Sequence, residues 1–334
     1  MNVAIIFGGK SAEHEVSLRS ARSILNALDK SQFTPILIGI SKDGKWFLCD
    51  EIPDDEVVEG KSEVTIMPGK GLLDASVAFP VLHGPNGEDG TIQGLFRMID
   101  IPFVGPGVLG SSTAMDKEVS KILLKNKEIP VVDWISFKDE IDIESVEEKF
   151  NYPIFVKPAN LGSSVGVSKV KNRDELIEAA DKAFQYDEKI IVERAVDGKE
   201  LECSVLGNLN PKTSIIGEIR PDDFYSYEEK YSDDSSTELL VPANISDKLE
   251  GKLQRLAIRV FKANMCEGMA RVDFLVEDGN IFVNELNTIP GFTNISMYPK
   301  LWEESDLSFS DLVTKLIRLA MDRHRRRKNL RASY

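Results

Sequence analysis

The sequence predicts an α/β protein with more than one core, and three observations predict it. The chain opens on a β-branched apolar run, Val3-Ala4-Ile5-Ile6-Phe7, which stops at Gly8-Gly9 and passes into a 3.6-residue period through Val16, Leu18, Ile24, Leu25 and Leu28. Two further apolar runs, at 34–40 and 77–82, repeat the strand signal. With 334 residues, the chain also exceeds the ~250–300 over which a single core usually grows.

Strand, glycine turn, helix and two more strands make residues 1–95 a small parallel sheet with crossover helices. The turn after the first strand has two glycines but not the full Gly-x-Gly-x-x-Gly spacing, so it does not read as a dinucleotide fingerprint. A helix is expected from Met115 to Lys127, stopped by Ile129-Pro130. Strands at 153–157 and 166–170 then flank a glycine-serine loop, giving a second lobe over 96–187. Beyond Glu188 the pattern is mostly strand, at 190–193, 201–206 and 214–220. The polar stretch 221–238 that follows is too long for an idle connection and reads as a lid or as disorder. A helix at 248–263, two strands and a terminal helix at 309–325 complete a third lobe, 188–334.

Charge narrows the partners. Against 41 Lys+Arg stand 55 Asp+Glu, a net charge of −14, which argues against a nucleic-acid-coating surface and against a polybasic membrane anchor. Any anionic ligand must therefore meet locally placed cations. Cys49, Cys203 and Cys266 are too widely spaced for a disulfide framework or a Cys-x-x-Cys site, which fits the reducing cytoplasm. No 18 apolar residues run together, and the opening run is too short for a secretory signal, so no leader or membrane span is expected. The basic run 323–328 reads as a solvated helix end.

The most informative segment runs from Ala270 to Asn287, two strands joined around Asp278-Gly279. With a three-residue loop, Glu277 to Gly279, the odd-numbered residues share a face and Arg271, Asp273, Glu285 and Asn287 converge. A two-residue Asp278-Gly279 turn would instead send Asp273 and Glu285 to opposite faces. Two carboxylates and an amide oxygen, with no histidine or cysteine beside them, suit Mg²⁺ rather than zinc. A solvent-facing acidic pair guarding an edge strand is the alternative. In the metal reading both carboxylates are expected at the surface of a cleft.

The glycine-serine loop, Lys157-Pro-Ala-Asn-Leu-Gly162-Ser163-Ser164-Val-Gly166, offers backbone N–H donors and one ammonium to phosphate oxygens. Because Lys157 precedes the glycines, this is not a Walker A loop. A plain Gly-Ser hairpin is the alternative. A third segment, Leu82-His83-Gly84-Pro85-Asn86-Gly87-Glu88-Asp89-Gly90, follows an apolar strand, where open α/β sheets bind ligands. A turn-rich linker with a structural histidine is the alternative there.

Together these segments resemble the D-alanine–D-alanine ligases of the ATP-grasp superfamily. The resemblance rests on Glu13-His-Glu-Val-Ser17, Leu82 to Gly90, Met115-Asp116-Lys117, Lys157 to Val167, Phe224 to Tyr231, Arg271-Val-Asp-Phe274, and Asn284 to Pro299, in that order along nearly the whole chain. It implies an amino-terminal Rossmann-like (pre-ATP-grasp) domain followed by a two-lobed ATP-grasp fold. It also implies a reaction, in which ATP phosphorylates one D-alanine and the amine of a second attacks the acyl phosphate, for peptidoglycan precursor synthesis.

By resemblance, Lys117, Lys157, Ser164 and Lys230 contact the nucleotide phosphates. Glu193, Val196 and Glu200 hold adenine and ribose beside Phe224. Asp273, Glu285 and Asn287 bind two Mg²⁺ ions, with Mn²⁺ as a substitute. Arg271 and the backbone N–H of Gly291 face the oxyanion. Glu13 holds the first D-alanine's ammonium, and Ser296 with Lys230 the second D-alanine's carboxylate. His83 lies in the substrate loop, and Glu13, Ser163 and Tyr231 form a trio that latches the 221–238 lid.

Tyr231 favours D-alanine over D-lactate as acceptor, and a homodimer is implied. Arg194 departs from the pattern, standing where a lysine is frequent. Three rivals remain at this level. Another ATP-grasp carboxylate–amine ligase would lack the substrate-side match. A non-catalytic nucleotide sensor would not need all three metal ligands and Arg271. A dehydrogenase would need the missing glycine fingerprint.

Overall fold

The computed structural model describes residues 1–220, 237–293 and 295–331. In its first sheet, β1 (Asn2–Gly8), β2 (Thr34–Ile40), β3 (Trp46–Cys49), β4 (Ser62–Glu63) and β5 (Val77–Pro80) lie in the order β4-β3-β2-β1-β5. β1 is parallel to β2 and β5, but β3 and β4 are antiparallel, so the expected parallel sheet is mixed. The reason is local, since five residues separate β2 from β3 and a parallel crossover needs a dozen or more.

β1 is apolar from Val3 to Phe7 because both its faces are covered. Val3, Ile5 and Phe7 pack with Leu18 and Ile24 of α1 (His14–Ala27), and Ala4 and Ile6 pack with Ile92 and Phe96 of α2 (Thr91–Met98). Past α2 the chain returns to the sheet, where Ala78 donates to the Pro102 carbonyl and Val104 to that of Ala78.

The helix expected from Met115 to Lys127 begins two residues later, at Lys117, behind a separate helix. α3 (Val108–Met115) stops at Asp116, whose carboxylate caps α4 (Lys117–Asn126) by accepting from the Val119 N–H at 3.0 Å. β6 (Trp134–Lys138), β7 (Ile154–Pro158), β8 (Ser168–Val170) and β9 (Lys189–Arg194) form an antiparallel sheet, order β6-β9-β7-β8. α5 (Ile143–Lys149) and α6 (Arg173–Phe184) cover one face, on which Ile154, Val156, Ile190 and Val192 meet Val146, Leu176 and Ala180. The other face carries Phe155, Lys157 and Glu193, which line a cavity.

The third sheet, order β12-β11-β10-β13-β14, contains β10 (Lys199–Gly207), β11 (Lys212–Arg220), β12 (Glu238–Leu240), β13 (Gly268–Glu277) and β14 (Asn280–Asn287). α7 (Asp247–Ala263) packs Leu253, Ala257, Val260 and Phe261 against Leu201, Cys203, Val272 and Phe274. α8 (Met297–Glu303) and α9 (Phe309–Lys328) join Leu206 and Met269 of this sheet to the core of the first, so the carboxy-terminal helix closes on the amino-terminal sheet.

The basic run at its end is not wholly solvated. Arg323 is 3 % exposed, donates to the carbonyls of Phe103 and Gly105, and lies 4.4 Å from the Phe103 ring centre. No helix among the described residues is long and apolar enough to cross a membrane.

Candidate active site

The hairpin of β13 and β14 makes the two-residue turn. Asp278 (φ 50°) and Gly279 (φ 79°) both take left-handed backbone, and Glu277 pairs with Asn280. Regular pairing from that turn would put Asp273 opposite Asn284. A bulge intervenes, so that Phe274 faces Val283 but Asp273 faces Glu285 and Arg271 faces Asn287. Asn284 is the extra residue. The expected convergence therefore occurs with the other turn, since the sequence shows the loop but not the bulge. The apolar residues mark it in retrospect, with the buried Val283 and Leu286 three apart instead of two.

Arg271 is held from two strands. Its Nε and terminal nitrogen reach the Asp273 carboxylate at 2.8 and 2.7 Å, and Nε lies 3.0 Å from Glu202, which pairs with Asp273 across β10. Burial opposes the guanidinium charge, but Asp273 and Glu202 outweigh it and raise the pKa well above its ordinary value. Asn287 donates to Asp273 at 2.8 Å. Asp273 is 2 % exposed, so of the two carboxylates expected at the cleft surface one is buried beneath Arg271, while the Glu285 side chain keeps 23 % exposure.

Lys117, at the start of α4, approaches Glu285 at 3.5 Å and donates to the Leu161 carbonyl. Lys157 on β7 lies 2.7 Å from one Glu193 oxygen and 3.4 Å from the Asn284 amide oxygen. Lys121, one helical turn beyond Lys117, takes the other Glu193 oxygen at 2.8 Å. Burial pushes the Glu193 pKa up, yet the two lysines outweigh it and draw it down to about 2. Burial also pulls on both ammoniums; Glu193 raises Lys157 despite it, while Lys121 stays lowered.

Ser163 and Ser164 are both left-handed (φ 50° and 61°), and the Ser163 hydroxyl donates to Glu13, the residue before α1. His83 is buried, with Nδ1 3.0 Å from the Ile289 carbonyl and Nε2 3.1 Å from the Ser20 hydroxyl. Since a carbonyl only accepts, the proton sits on Nδ1. Burial holds this histidine below its ordinary pKa, hence neutral. Glu88 accepts from the N–H groups of Gly84 and Ile289, both at 2.9 Å, and burial beside Glu13 lifts its pKa to about 8. The Ser296 hydroxyl accepts from the Thr293 N–H at 3.0 Å. A Cβ on Gly291 would stand 2.7 Å from that hydroxyl, so only glycine fits there unstrained.

These side chains surround two adjoining cavities. The larger, about 810 Å³, is lined by Lys117, Lys157, Ser164, Glu193, Val196 and Glu200, among others. The smaller, about 90 Å³, is lined by Glu13, His83, Glu88, Arg271, Gly291 and Ser296, among others. Ser163 and Glu285 line both, and Asn287 lines the smaller. Phe224, Lys230 and Tyr231, with residues 221–236 of the expected 221–238 lid, lie outside the described residues, while Glu238 begins β12.

Sequence reasoning missed Lys121, Glu202, Glu88 as a partner of the 289–291 turn, and Asn284. Glu202 had a signal, because it alternates with Glu200 on a strand whose odd positions from Leu201 to Val205 are apolar. Lys121 had one too, at i+4 from Lys117 on a helix.

Three lobes with a cation-lined cavity between the last two sheets define an ATP-grasp fold. The comparisons with known proteins agree. Residues 2–106 match the family model described as "D-ala D-ala ligase N-terminus", and residues 123–318 match "D-ala D-ala ligase C-terminus". The D-alanine–D-alanine ligase of Shouchella clausii is 46 % identical, covering 99 % of this chain and 97 % of that protein. A solved D-alanine–D-alanine ligase from Coxiella burnetii superposes with a TM-score of 0.88 at 36 % identity, covering 98 % of this chain and 96 % of that one. The same class of enzyme from Bacillus anthracis, complexed with ATP, has a TM-score of 0.79 at 27 % identity, covering 98 % and 99 %. This chain belongs to the D-alanine–D-alanine ligase family.

Proposed function

We propose that this protein joins two D-alanine molecules into D-alanyl-D-alanine with consumption of ATP, for peptidoglycan precursor synthesis in the cytoplasm. The observation that carries this reading is the meeting of the two cavities at Ser163 and Glu285. A chamber of nucleotide size, walled by lysines, opens there onto a small one that holds carboxylates, a guanidinium and a glycine turn.

In the larger chamber Lys117, Lys157 and the Ser163-Ser164 backbone take the phosphates, while Val196, Glu193 and Glu200 lie along the adenine and ribose. The donor set Asp273, Glu285 and Asn287 fits a hard divalent ion, being all oxygen. Among the described residues no three His, Cys, Asp or Glu side chains gather for a metal. Bound there, Mg²⁺ or Mn²⁺ would neutralise phosphate charge.

The terminal phosphoryl group of ATP passes to a carboxylate oxygen of the first D-alanine, and ADP leaves. Glu13, fixed by Ser163, holds that molecule's ammonium. The second D-alanine, its carboxylate at Ser296 and its amine deprotonated, attacks the acyl carbon. Arg271 and the Gly291 N–H face the resulting oxyanion, and the C–O bond to phosphate breaks. Glu202 and Asp273 keep Arg271 aimed without freedom to swing. His83 and Glu88 both bind the backbone of Ile289, which fixes the turn that presents Gly291.

Incubation with ATP, Mg²⁺ and D-alanine should release phosphate and the dipeptide in equal amounts. Phosphate release that does not depend on D-alanine, or a different product by mass spectrometry, ends the reading. The family resemblance supports a homodimer, which a sedimentation mass of one chain would refute.

A further inference from the structure

We propose that Lys121 is a positioning residue for the nucleotide phosphates, acting through Glu193 and Lys157 from behind the cavity wall. The proposal rests on the reading of the larger chamber as an ATP site. Lys121 is 2 % exposed and does not line that chamber, although Lys117, Lys157 and Glu193 do. Its ammonium touches one Glu193 oxygen at 2.8 Å and the Val132 carbonyl at 3.3 Å, while Lys157 holds the other Glu193 oxygen at 2.7 Å.

Burying an ammonium on a helix face is costly, and an apolar side chain of similar volume would pack there at less expense. The gain lies in the charge balance. With Lys157 alone, Glu193 would cancel the cation that faces the chamber. The second lysine neutralises Glu193 from the far side, so the three groups carry one net positive charge, and Lys157, which lines the chamber, is the most exposed of the three at 14 %. Because the Lys121 and Glu193 side chains are only 2 % and 3 % exposed, little screening weakens their pairing. Pinning both carboxylate oxygens also prevents Glu193 from rotating and drawing Lys157 away from the ligand.

The test compares ATP with adenosine, which shares the base and ribose but lacks the phosphates, by calorimetric titration of the full-length protein. Lys121→Met should lower ATP affinity about tenfold or more, the scale of one hydrogen bond to a charged group, and leave adenosine affinity unchanged. Lys121→Arg should keep the wild-type ratio. The double variant Lys121→Met/Glu193→Gln, which removes both charges together, should bring the ATP-to-adenosine ratio back to within about threefold of wild type, since the charge balance is restored. Should Lys121→Met not fold, Lys121→Gln, which keeps a donor without charge, is read by the same ratio. An unchanged ratio in the single variant, equal losses for both ligands, or no recovery in the double variant overturns the proposal. Wild-type protein that binds adenosine but not ATP overturns the functional reading beneath it.

Discussion

Asp273 stands directly opposite Glu285 on the last hairpin, and it does so because Asn284 is one residue more than a regular ladder holds. The two-residue turn sets one register and the bulge sets another. On the buried side Val283 and Leu286 remain in the core, while Asn284 and Glu285 both face the cleft. Asn284 uses the added position to reach Lys157.

Two deletions of equal size test this arrangement. Removing Asn284 leaves Val283 and Leu286 inward and Asp273 opposite Glu285 in a regular ladder, so the protein should fold with little loss of stability. Removing Val283 instead places Asn284 in the core beside Phe274, which should cost about 3 kcal/mol or more. Urea unfolding of both variants decides, and equal destabilisation would show that the bulge does not set the register.

Glu285→Gln should lower kcat by at least about a hundredfold, because the ligand set loses a charge that the transferring phosphoryl group requires. Its side chain is partly exposed, so the melting temperature should hardly move. Asp273→Asn is a poorer probe, since it also leaves half-buried Arg271 with Glu202 alone. A Glu285→Gln enzyme with normal turnover would remove Glu285 from the metal site.

Ser163→Ala takes away the hydroxyl that spans from the loop after β7 to Glu13. A hydrogen bond to a carboxylate contributes about 1.5–3 kcal/mol, so kcat/KM for D-alanine should fall roughly ten- to a hundredfold. Affinity for ATP should change less. Steady-state kinetics with each substrate varied in turn separates the two, and a loss confined to ATP would contradict the pairing with Glu13.

Glu193 should show itself in acid. Its pKa is drawn from the ordinary 4.5 to about 2, so it contributes stability that is fully present above ~4.5 and is lost as pH falls toward 2. Glu193→Gln should therefore be less stable than wild type at neutral pH, with the gap closing as pH falls through that window. Unfolding free energies measured from pH 7 down to 2.5 test it; a gap that does not narrow would mean Glu193 is not held ionised by the two lysines.

Local patterns were legible in proportion to how local their cause is. β1, β2, the 248–263 helix and the final hairpin follow from period and turn residues within a few positions. β6, α5 and α6 passed unnoticed, because they are short or flanked by charged residues and form against neighbours supplied by other segments. The start of α4 is read two residues early, at Met115, for a different reason, since the capping Asp116 sits within a helical period that runs through it.

By itself, the sequence determined the family, the hard-oxygen character of the hairpin and the lysines proposed to meet the nucleotide, since residue identity and near-neighbour spacing carry that information. Only the tertiary structure decided the bulge that turns Asp273 toward Glu285, the burial of Lys121 behind Glu193, and the clasp of Ser163 on Glu13 across 150 residues. Those depend on which strands pair and which faces close, and pairing energies between distant segments leave no period in the chain to read.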